Sequence, residues 1–260
     1  MEKLPYWKKE KKLSKNNDFE WDIPEQKTGS VAIIGGNSQN FSSVIRSAEF
    51  LEKTYPIKDL KIIMPDVLRA KVPSLPGLFY CPSTESGSFA DSPEIRNSVR
   101  NTDVNIFIGD LSHNSNTSIA ISKTIKEAPG VVLLARDTTD ILLSEMNEII
   151  EKDNLIIIAS MIQLQKLLRS VYYPKVLLLS MPLMPVVEVL HKFTLSYPAT
   201  ILTFHQGQII VAHEGIVKTI PIEETNYTPL SLWMGTLAMK IAAMNLYNPG
   251  QLLDSTFAAI

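Results

Sequence analysis

Short apolar runs alternate with amphipathic segments along most of this chain. Seven runs have the length and composition of β-strands: residues 31–34, 60–64, 104–108, 131–134, 155–158, 176–179 and 200–204. Between them, 42–54, 118–128, 139–151 and 162–170 read as helices, with Val44, Ala48 and Leu51 at helical spacing in the first. Continuously apolar strands such as 155–159 are typical of a sheet covered on both faces. The alternation predicts a mostly parallel sheet between helices.

The pattern changes after residue 204. Two further strand-like runs, 209–212 and 216–220, are each preceded by a turn, which predicts an antiparallel edge on the parallel sheet. A long helix should follow from Pro229 to about residue 245, because proline favours the first turn of a helix, and a last one should cover 249–260. Without an internal repeat or a second boundary, residues 29–260 are expected to form one three-layer α/β/α domain.

Residues 1–28 precede this domain as a polar arm with six lysines in the first fifteen positions. The arm has no apolar run typical of a secretory signal. Two interpretations stay open. It is a solvated tail, or its few aromatic residues hold part of it against the domain or a neighbouring subunit.

Composition narrows the class of protein. Of 260 residues 45% are hydrophobic, which suffices for a large core, and the net charge of −2 creates no field that favours nucleic acid or anionic lipid. The single cysteine, Cys81, excludes an intramolecular disulfide and a cysteine-based zinc site. The most apolar stretch, 176–190, contains two prolines and a glutamate and is shorter than the ~20 residues of a membrane span. We therefore expect a soluble cytoplasmic protein with no nucleic-acid or membrane partner.

Candidate chemistry lies where strands end, because ligands of open parallel sheets bind beyond the strands' carboxyl ends. Gly35, Gly36 and Asn37 follow the first strand of the domain, and Gly109 and Asp110 follow another. The backbone amides at the glycines could approach an anionic ligand. The third glycine of a dinucleotide fingerprint is missing, and no Walker A motif occurs.

The polar residues at these strand ends each have two interpretations. Asp110 orients a ligand hydroxyl or caps the next helix; Asp137 and Asp140 bind a metal or act as acid and base, or one of them caps the helix near residue 139. His205 and His213 flank a turn, yet a zinc ion needs more ligands than this pair, so no metal site is expected. The absence of G-x-S-x-G argues against a serine hydrolase.

Taken in order, these segments resemble the ribokinase-like ADP/ATP-dependent NAD(P)H-hydrate dehydratases over about residues 28–260. Ser30-Val-Ala-Ile-Ile-Gly-Gly-Asn-Ser38 is similar to the family's G-x-V-x-x-I-G-G-S, and the segment 105–112 stands at its I-G-P-G-L-G. Residues 134–139 stand at D-A-D-A-L, 158–161 or alternatively 179–182 at T-P-H, and 200–211 at the V-V-L-K-G hairpin. Thr228 to Ala238 stand at G-T-G-D-x-L-A-G, with Gly235 at the closing glycine.

The resemblance implies a ribokinase-like fold and a site for ATP or ADP without a metal site of its own. It places Ser231 at the position of the family's catalytic aspartate. It places ligand contacts at Gly35, Gly36, Asn37, Gly109, Asp110, Asp137, Thr228 and Gly235. Thr228-Pro-Leu-Ser231 replaces the whole G-T-G-D motif. A serine is no base near neutral pH without an activating partner, and Pro229 removes an amide donor. The sequence thus predicts weak or lost dehydration of hydrated NADH or NADPH.

Two other functions remain open at this stage. The chain is a non-catalytic protein of the same fold that binds a nucleotide or a subunit, or it is a sugar or vitamin kinase. The expected partners are a nucleotide or an NAD(P)H-derived small molecule, with a homo-oligomer or an active paralogue as possible protein partners.

Overall fold

The computed structural model describes residues 4–10, 23–230 and 233–260. These residues form a single ten-stranded sheet. The strands are β1 Trp7–Lys9, β2 Thr28–Gly35, β3 Ile57–Pro65, β4 Leu78–Cys81, β5 Val104–Gly109, β6 Val131–Leu134, β7 Leu155–Ile158, β8 Thr200–His205, β9 Gln208–His213 and β10 Ile216–Pro221.

The strand order is β1-β10-β9-β8-β7-β6-β5-β2-β3-β4. The seven strands from β8 to β4 are all parallel, whereas β9 pairs antiparallel with both β8 and β10. The predicted parallel sheet with an antiparallel edge is therefore confirmed. The hairpin turn between β8 and β9 is Gln206-Gly207, both with positive φ, as tight hairpins require.

Nine helices among the described residues cover the two faces of the sheet: α1 Ser42–Thr54, α2 Pro93–Val99, α3 Ser115–Glu127, α4 Thr138–Ile141, α5 Met146–Ile149, α6 Met161–Ser170, α7 Leu183–Ser196, α8 Thr236–Tyr247 and α9 Leu252–Ala258. One core contains side chains of α2 to α7, and the other contains side chains of α1, α8 and α9. Alternate residues of the central strands enter opposite cores, so the molecule has the three predicted layers.

The predicted strand at 176–179 is wrong. Residues of this segment lie in a loop, and Val176, Leu178 and Leu179 are about half exposed. The physical reason is the pairing of β7 directly with β8, which leaves no place between them for another strand. Of the two segments that could stand at the T-P-H position, only 158–161 follows a strand.

Two helix predictions also need correction. The predicted helix 139–151 is two short helices, α4 and α5, separated by a turn at 142–145. The long helix predicted from Pro229 begins at Thr236, because Gly235 has a left-handed φ of 87° that cannot continue a right-handed helix backwards.

Four elements were not predicted: β1, β4, α2 and α7. Pro182 precedes α7 and Pro185 lies in its first turn, where a missing amide does no harm. Part of the N-terminal arm joins the sheet, because β1 pairs parallel with β10 and the indole Nε1 of Trp7 donates to Thr219 Oγ1 at 3.0 Å. Tyr6 stacks on the ring of His191 at 3.7 Å between centroids.

No helix in the described part of the chain is long and apolar enough to cross a membrane.

Candidate functional site

The loops that follow β2, β5, β6 and β7 meet at the carboxyl edge of the sheet and enclose two cavities. The larger, of about 640 Å³, is lined by several charged side chains and by apolar ones that include Leu230, Trp233 and Met234. The smaller, of about 350 Å³, is lined mainly by amide and hydroxyl side chains. Asp110 and Asp137 line both cavities, so these two residues stand where the cavities adjoin.

Asp110, after β5, has a carboxylate that is held by two side chains from different parts of the chain. Its Oδ1 accepts from Arg136 Nη2 at 2.9 Å, and its Oδ2 accepts a short hydrogen bond from the hydroxyl of Ser43 in α1. It does not cap α3; that role belongs to Asn114, whose side chain accepts from the amide of Thr117. Asp110 is thus an ion-pair partner at the wall of the cleft.

A second ion pair, between Lys166 and Asp140, lines the same cavity. Lys166 Nζ donates to Asp140 at 2.7 Å, and the side-chain amide of Gln163 donates to the same carboxylate at 2.7 Å. Gln163 also donates to the Arg136 carbonyl at 2.7 Å and completes a capping box with Ser160 at the start of α6. These bonds join the loops after β6 and β7 into one polar network.

Asp137 differs from these two aspartates. It occupies the N-cap position of α4 without capping it, and its Oδ1 accepts from the backbone amide of Asp110 at 3.0 Å. Burial raises the pKa of the Asp137 carboxyl above its usual value; the Asp110 amide opposes this shift in pKa. A carboxyl group in such surroundings is a candidate for proton transfer.

The glycine loop after β2 is closed by its own hydrogen bonds. The amide of Gly36 donates to the Gly109 carbonyl at 3.0 Å, and Asn37 Nδ2 donates to the Asp110 carbonyl at 2.8 Å. A side chain on Gly35 would lie 2.6 Å from the Gly109 carbonyl oxygen. The glycines therefore permit close packing of β2 against β5, and the Gly36 amide already has an acceptor.

The start of α8 borders the larger cavity. Trp233 and Met234 line it, and Gly235 precedes the helix, where an added Cβ would lie 3.2 Å from Ile108 and 3.3 Å from Ser47. Amides in the first turn of a helix point outward and favour negative charge. Thr228 is exposed ahead of this segment, and the prediction for Ser231 lies outside the described residues.

The structure thus brings together the predicted residues Gly35, Gly36, Asn37, Gly109, Asp110 and Asp137, with Gly235 beside them. Three further residues line the larger cavity but were not predicted as site residues from the sequence: Arg46, Gln163 and Lys166. For Gln163 the sequence does contain a signal. Ser160 followed three residues later by glutamine is the pattern of a capping box, which indicates that the Gln163 side chain lies at the start of a helix.

His205 and His213, which flank the β8–β9 hairpin, contact different parts of the protein. His205 Nε2 lies 2.7 Å from the Met181 carbonyl oxygen, and His213 Nδ1 lies 3.0 Å from Thr200 Oγ1. Among residues 4–10, 23–230 and 233–260, no group of three or more His, Cys, Asp or Glu side chains is placed to hold a metal ion.

Comparison with known proteins identifies the fold. No protein-family model matches the chain, and no curated protein sequence matches it. Solved structures do. A ribokinase-like superfamily protein from Enterococcus faecalis is 12% identical, with a TM-score of 0.65 over 99% of this chain and 87% of its own. Bacillus subtilis YxkO, a member of the UPF0031 family, is 12% identical, with a TM-score of 0.58 over 91% and 81%.

The ADP complex of Bacillus subtilis pyridoxal kinase is also similar, at 11% identity and a TM-score of 0.53 over 90% of this chain and 89% of that one. The ribokinase-like fold that the resemblance implied is therefore confirmed. Identities this low show the fold alone, so weak or lost dehydration of hydrated NADH or NADPH stays a prediction.

Proposed function

We propose that this chain binds ATP or ADP in the larger cavity and dehydrates hydrated NADH or NADPH weakly or not at all. The observation that carries the proposal is the convergence of three basic residues, Arg46, Arg136 and Lys166, on a cavity of about 640 Å³ at the strands' carboxyl ends. Pockets of this size hold small-molecule ligands, and this edge is where open α/β sheets bind them.

The basic and the apolar residues of the cavity lining suit the two parts of a nucleotide. The basic residues and the first turn of α8 favour the phosphates, while Trp233, Leu230 and Met234 offer an apolar surface to the base. Arg136 and Lys166 are already paired with Asp110 and Asp140, which leaves Arg46 as the basic residue with only a weak contact to Ser42. Arg46 is therefore the residue we expect to gain most from a phosphate.

Weak or lost dehydration follows from the residues at the start of α8. The sequence has no Asp or Glu between Glu224 and Asp254. Because α8 begins at Thr236, the residue at the motif's aspartate is either Ser231, as the sequence match has it, or Thr236, as the helix start suggests. Neither residue carries a carboxylate, so the conclusion does not depend on the register.

The alternatives differ in what they require of the same cleft. A non-catalytic protein that binds a nucleotide or a subunit, with an active paralogue as partner, needs only the cavity. A small-molecule kinase also needs a proton acceptor, and pyridoxal kinase and adenosine kinase are among the similar structures. The cleft contains such a group, which keeps the kinase as the second candidate.

The test is binding of ADP by calorimetry and by thermal unfolding. Ligand at ~100 times Kd stabilises the folded state by about 2.7 kcal/mol, so ADP should raise Tm measurably. Arg46→Gln should weaken ADP about tenfold and leave adenosine unchanged. Arg169→Gln is the matched control, since Arg169 is exposed on α6 and outside both cavity linings. Absence of ADP binding at millimolar concentration would refute the proposal.

Dehydration is tested separately, by recovery of NADH absorbance from hydrated NADH with ATP or ADP. We expect no useful turnover, because a general base contributes ~10²–10⁴-fold and an anion-hole donor a further ~10²–10³-fold. Ser231→Asp should restore little, since Pro229 remains in the loop before it. Robust turnover that disappears in Ser231→Ala would show that a neighbour activates the serine.

A further inference from the structure

The loop between α6 and α7 contains an exposed segment, residues 174–180, with the side-chain pattern of a β-strand. Val176 is 52% exposed and Leu178 is 46% exposed, whereas Leu177 between them is only 1% exposed. This alternation is what an extended chain presents, because successive side chains of a strand point to opposite faces. The exposed segment nevertheless pairs with no strand of the sheet described above.

The backbone of the exposed segment is only partly hydrogen-bonded. The Leu177 carbonyl accepts from Gln165 Nε2 at 2.6 Å, which ties this residue to α6. The Leu178 carbonyl accepts from the amide of Met181 at 3.1 Å in a turn. Val176 differs, because neither its amide nor its carbonyl has a hydrogen-bond partner among the described residues. Unpaired backbone groups in an exposed apolar run are a template for pairing with another strand.

The free groups of Val176 belong to the edge of the segment that faces away from α6. In a paired strand, the backbone groups of neighbouring residues point to opposite edges. Since the Leu177 carbonyl points to Gln165 in α6, the amide and carbonyl of Val176 point to the other edge. An added strand would therefore find its hydrogen-bond partners at Val176.

The chemistry of the exposed segment favours a second copy of this chain as the partner. From residue 170 to residue 187 the only charged residue is Lys175, so the surface offers no charge pattern that would select a different protein. In the following α7, Glu188 and Lys192 neutralise each other as an i, i+4 ion pair. A twofold axis brings identical surfaces together, and interfaces between copies of one chain are depleted of charge in their cores.

The two ends of the sheet are the other places where a strand could add. At one end β1 has the sequence Trp7-Lys-Lys9, and lysines on an edge strand oppose pairing with another chain. At the other end β4 presents one exposed apolar side chain, Phe79. Phe79 therefore marks the alternative surface.

We infer that the exposed segments of two copies pair as antiparallel strands about a twofold axis at Val176, which makes the protein a homodimer. The two Val176 residues exchange amide-to-carbonyl hydrogen bonds, as a hydrogen-bonded pair of an antiparallel ribbon does. Pro174 of each copy then lies opposite Leu178 of the other, on the same face as the two Val176 side chains. Lys175 of each copy lies opposite Leu177 of the other, so no like charges meet.

The first test is the mass of the protein in solution, measured by sedimentation velocity at micromolar and at hundred-micromolar concentrations. The chain should sediment as a dimer. Leu178→Lys should raise the dissociation constant of the dimer about 100-fold, because each dimer then carries two lysines in an apolar contact. Phe79→Lys and Leu195→Lys replace exposed apolar side chains outside the exposed segment and should leave the dimer intact. Circular dichroism verifies that the three variants fold.

A second test detects the strand pairing itself. Val176→Cys should form a disulfide-linked dimer under mild oxidation, because a hydrogen-bonded antiparallel pair has its Cα atoms about 5.5 Å apart, within the ~4.4–6.8 Å that a disulfide spans. Leu195→Cys is the matched control and should stay unlinked. The native Cys81 is buried, so it does not form the link. Val176→Pro, which removes the amide donor, should weaken the dimer.

The outcomes distinguish this surface from the alternatives. A dimer that Leu178→Lys dissociates and that Val176→Cys links supports the inference. A monomer at all concentrations overturns it. A dimer that only Phe79→Lys dissociates also overturns it and assigns the contact to β4. Sensitivity to Leu178→Lys without a link through Val176→Cys overturns the strand pairing. None of these outcomes depends on the proposed nucleotide site.

Discussion

Asp110 and Arg136 adopt left-handed backbone conformations, with φ of 56° and 58°, although neither is glycine. Such conformations cost of order 1–3 kcal/mol each and persist where neighbouring contacts enforce them. Here the contacts are visible. The Asp110 amide bonds to Asp137, the Arg136 carbonyl accepts from Gln163, and the two strained residues pair with each other at 2.9 Å. The strain lies on the two loops that form the wall of the proposed site.

At the same scale, Gly109→Ala should destabilise the protein through two effects. Its φ of 84° disfavours any side chain by about 1–2 kcal/mol, and its new Cβ would displace Asp137, at a further cost of about 1–3 kcal/mol. Gly207→Ala is the matched control, because Gly207 has a φ of 75° but nothing within 4 Å of an added Cβ. Urea denaturation measures both. Equal losses in the two variants would show that the Asp137 carboxylate moves aside freely.

His213 should make stability depend on pH. Burial lowers the pKa of this histidine, with Glu214 opposing the shift in pKa weakly. The folded state therefore binds its proton less readily than the unfolded state. Stability that depends on a neutral His213 is therefore fully present above the pKa of the unfolded state, ~6.5. It is lost as pH falls from there through the lower pKa of the folded state. Free energies of unfolding at pH 7.5 and 5.5 should differ less in His213→Gln than in the parent. His113→Gln, an exposed control, should leave the difference unchanged; an unchanged difference in His213→Gln would contradict the argument.

At the scale of elements, β1 shows how a short polar segment acquires structure. Trp7–Lys9 pairs with β10, and the half-buried Trp7 supplies both packing and a hydrogen bond to Thr219. Trp7→Ala should cost about 2 kcal/mol, roughly half of what a fully buried tryptophan loses. Lys8→Ala, an exposed change in the same strand, should stay within about 0.5 kcal/mol. Equal denaturation midpoints for the two variants would mean that β1 contributes nothing in solution.

Residues 176–179 and helix α7 are neighbours in one apolar stretch but adopt different structures. The local pattern favours a strand at the first and a proline-broken segment at the second. Direct pairing of β7 with β8 leaves the first in a loop, whereas α7 buries Val186, Leu190 and Phe193 beneath the sheet. The outcome follows from which surfaces are available for packing, and no local signal carries that information.

For the whole molecule, one continuous sheet connects both hydrophobic cores. Central strands such as β2 contribute alternate residues to each core, so neither core can form without the same strands. We therefore expect a single urea transition. Single-tryptophan variants that retain Trp7, at the β1 edge, or Trp233, at the cleft, should report the same midpoint as far-UV circular dichroism. Separate midpoints would show that the edge or the cleft unfolds independently of the sheet.

The sequence by itself determined six of the seven parallel strands, the antiparallel hairpin and the glycine loops, because continuous apolar runs and turn residues are local properties. The strand pattern also placed Asp110 and Asp137 at strand ends, and the resemblance indicated the ribokinase-like fold. Only the tertiary structure decided which loops meet. The pairings of Asp110 with Arg136 and of Asp140 with Lys166 each join residues 26 positions apart. The left-handed Gly235 moved the start of α8 to Thr236. Contacts between loops depend on the order of the strands, and that order follows from packing of the whole chain, which no local pattern encodes.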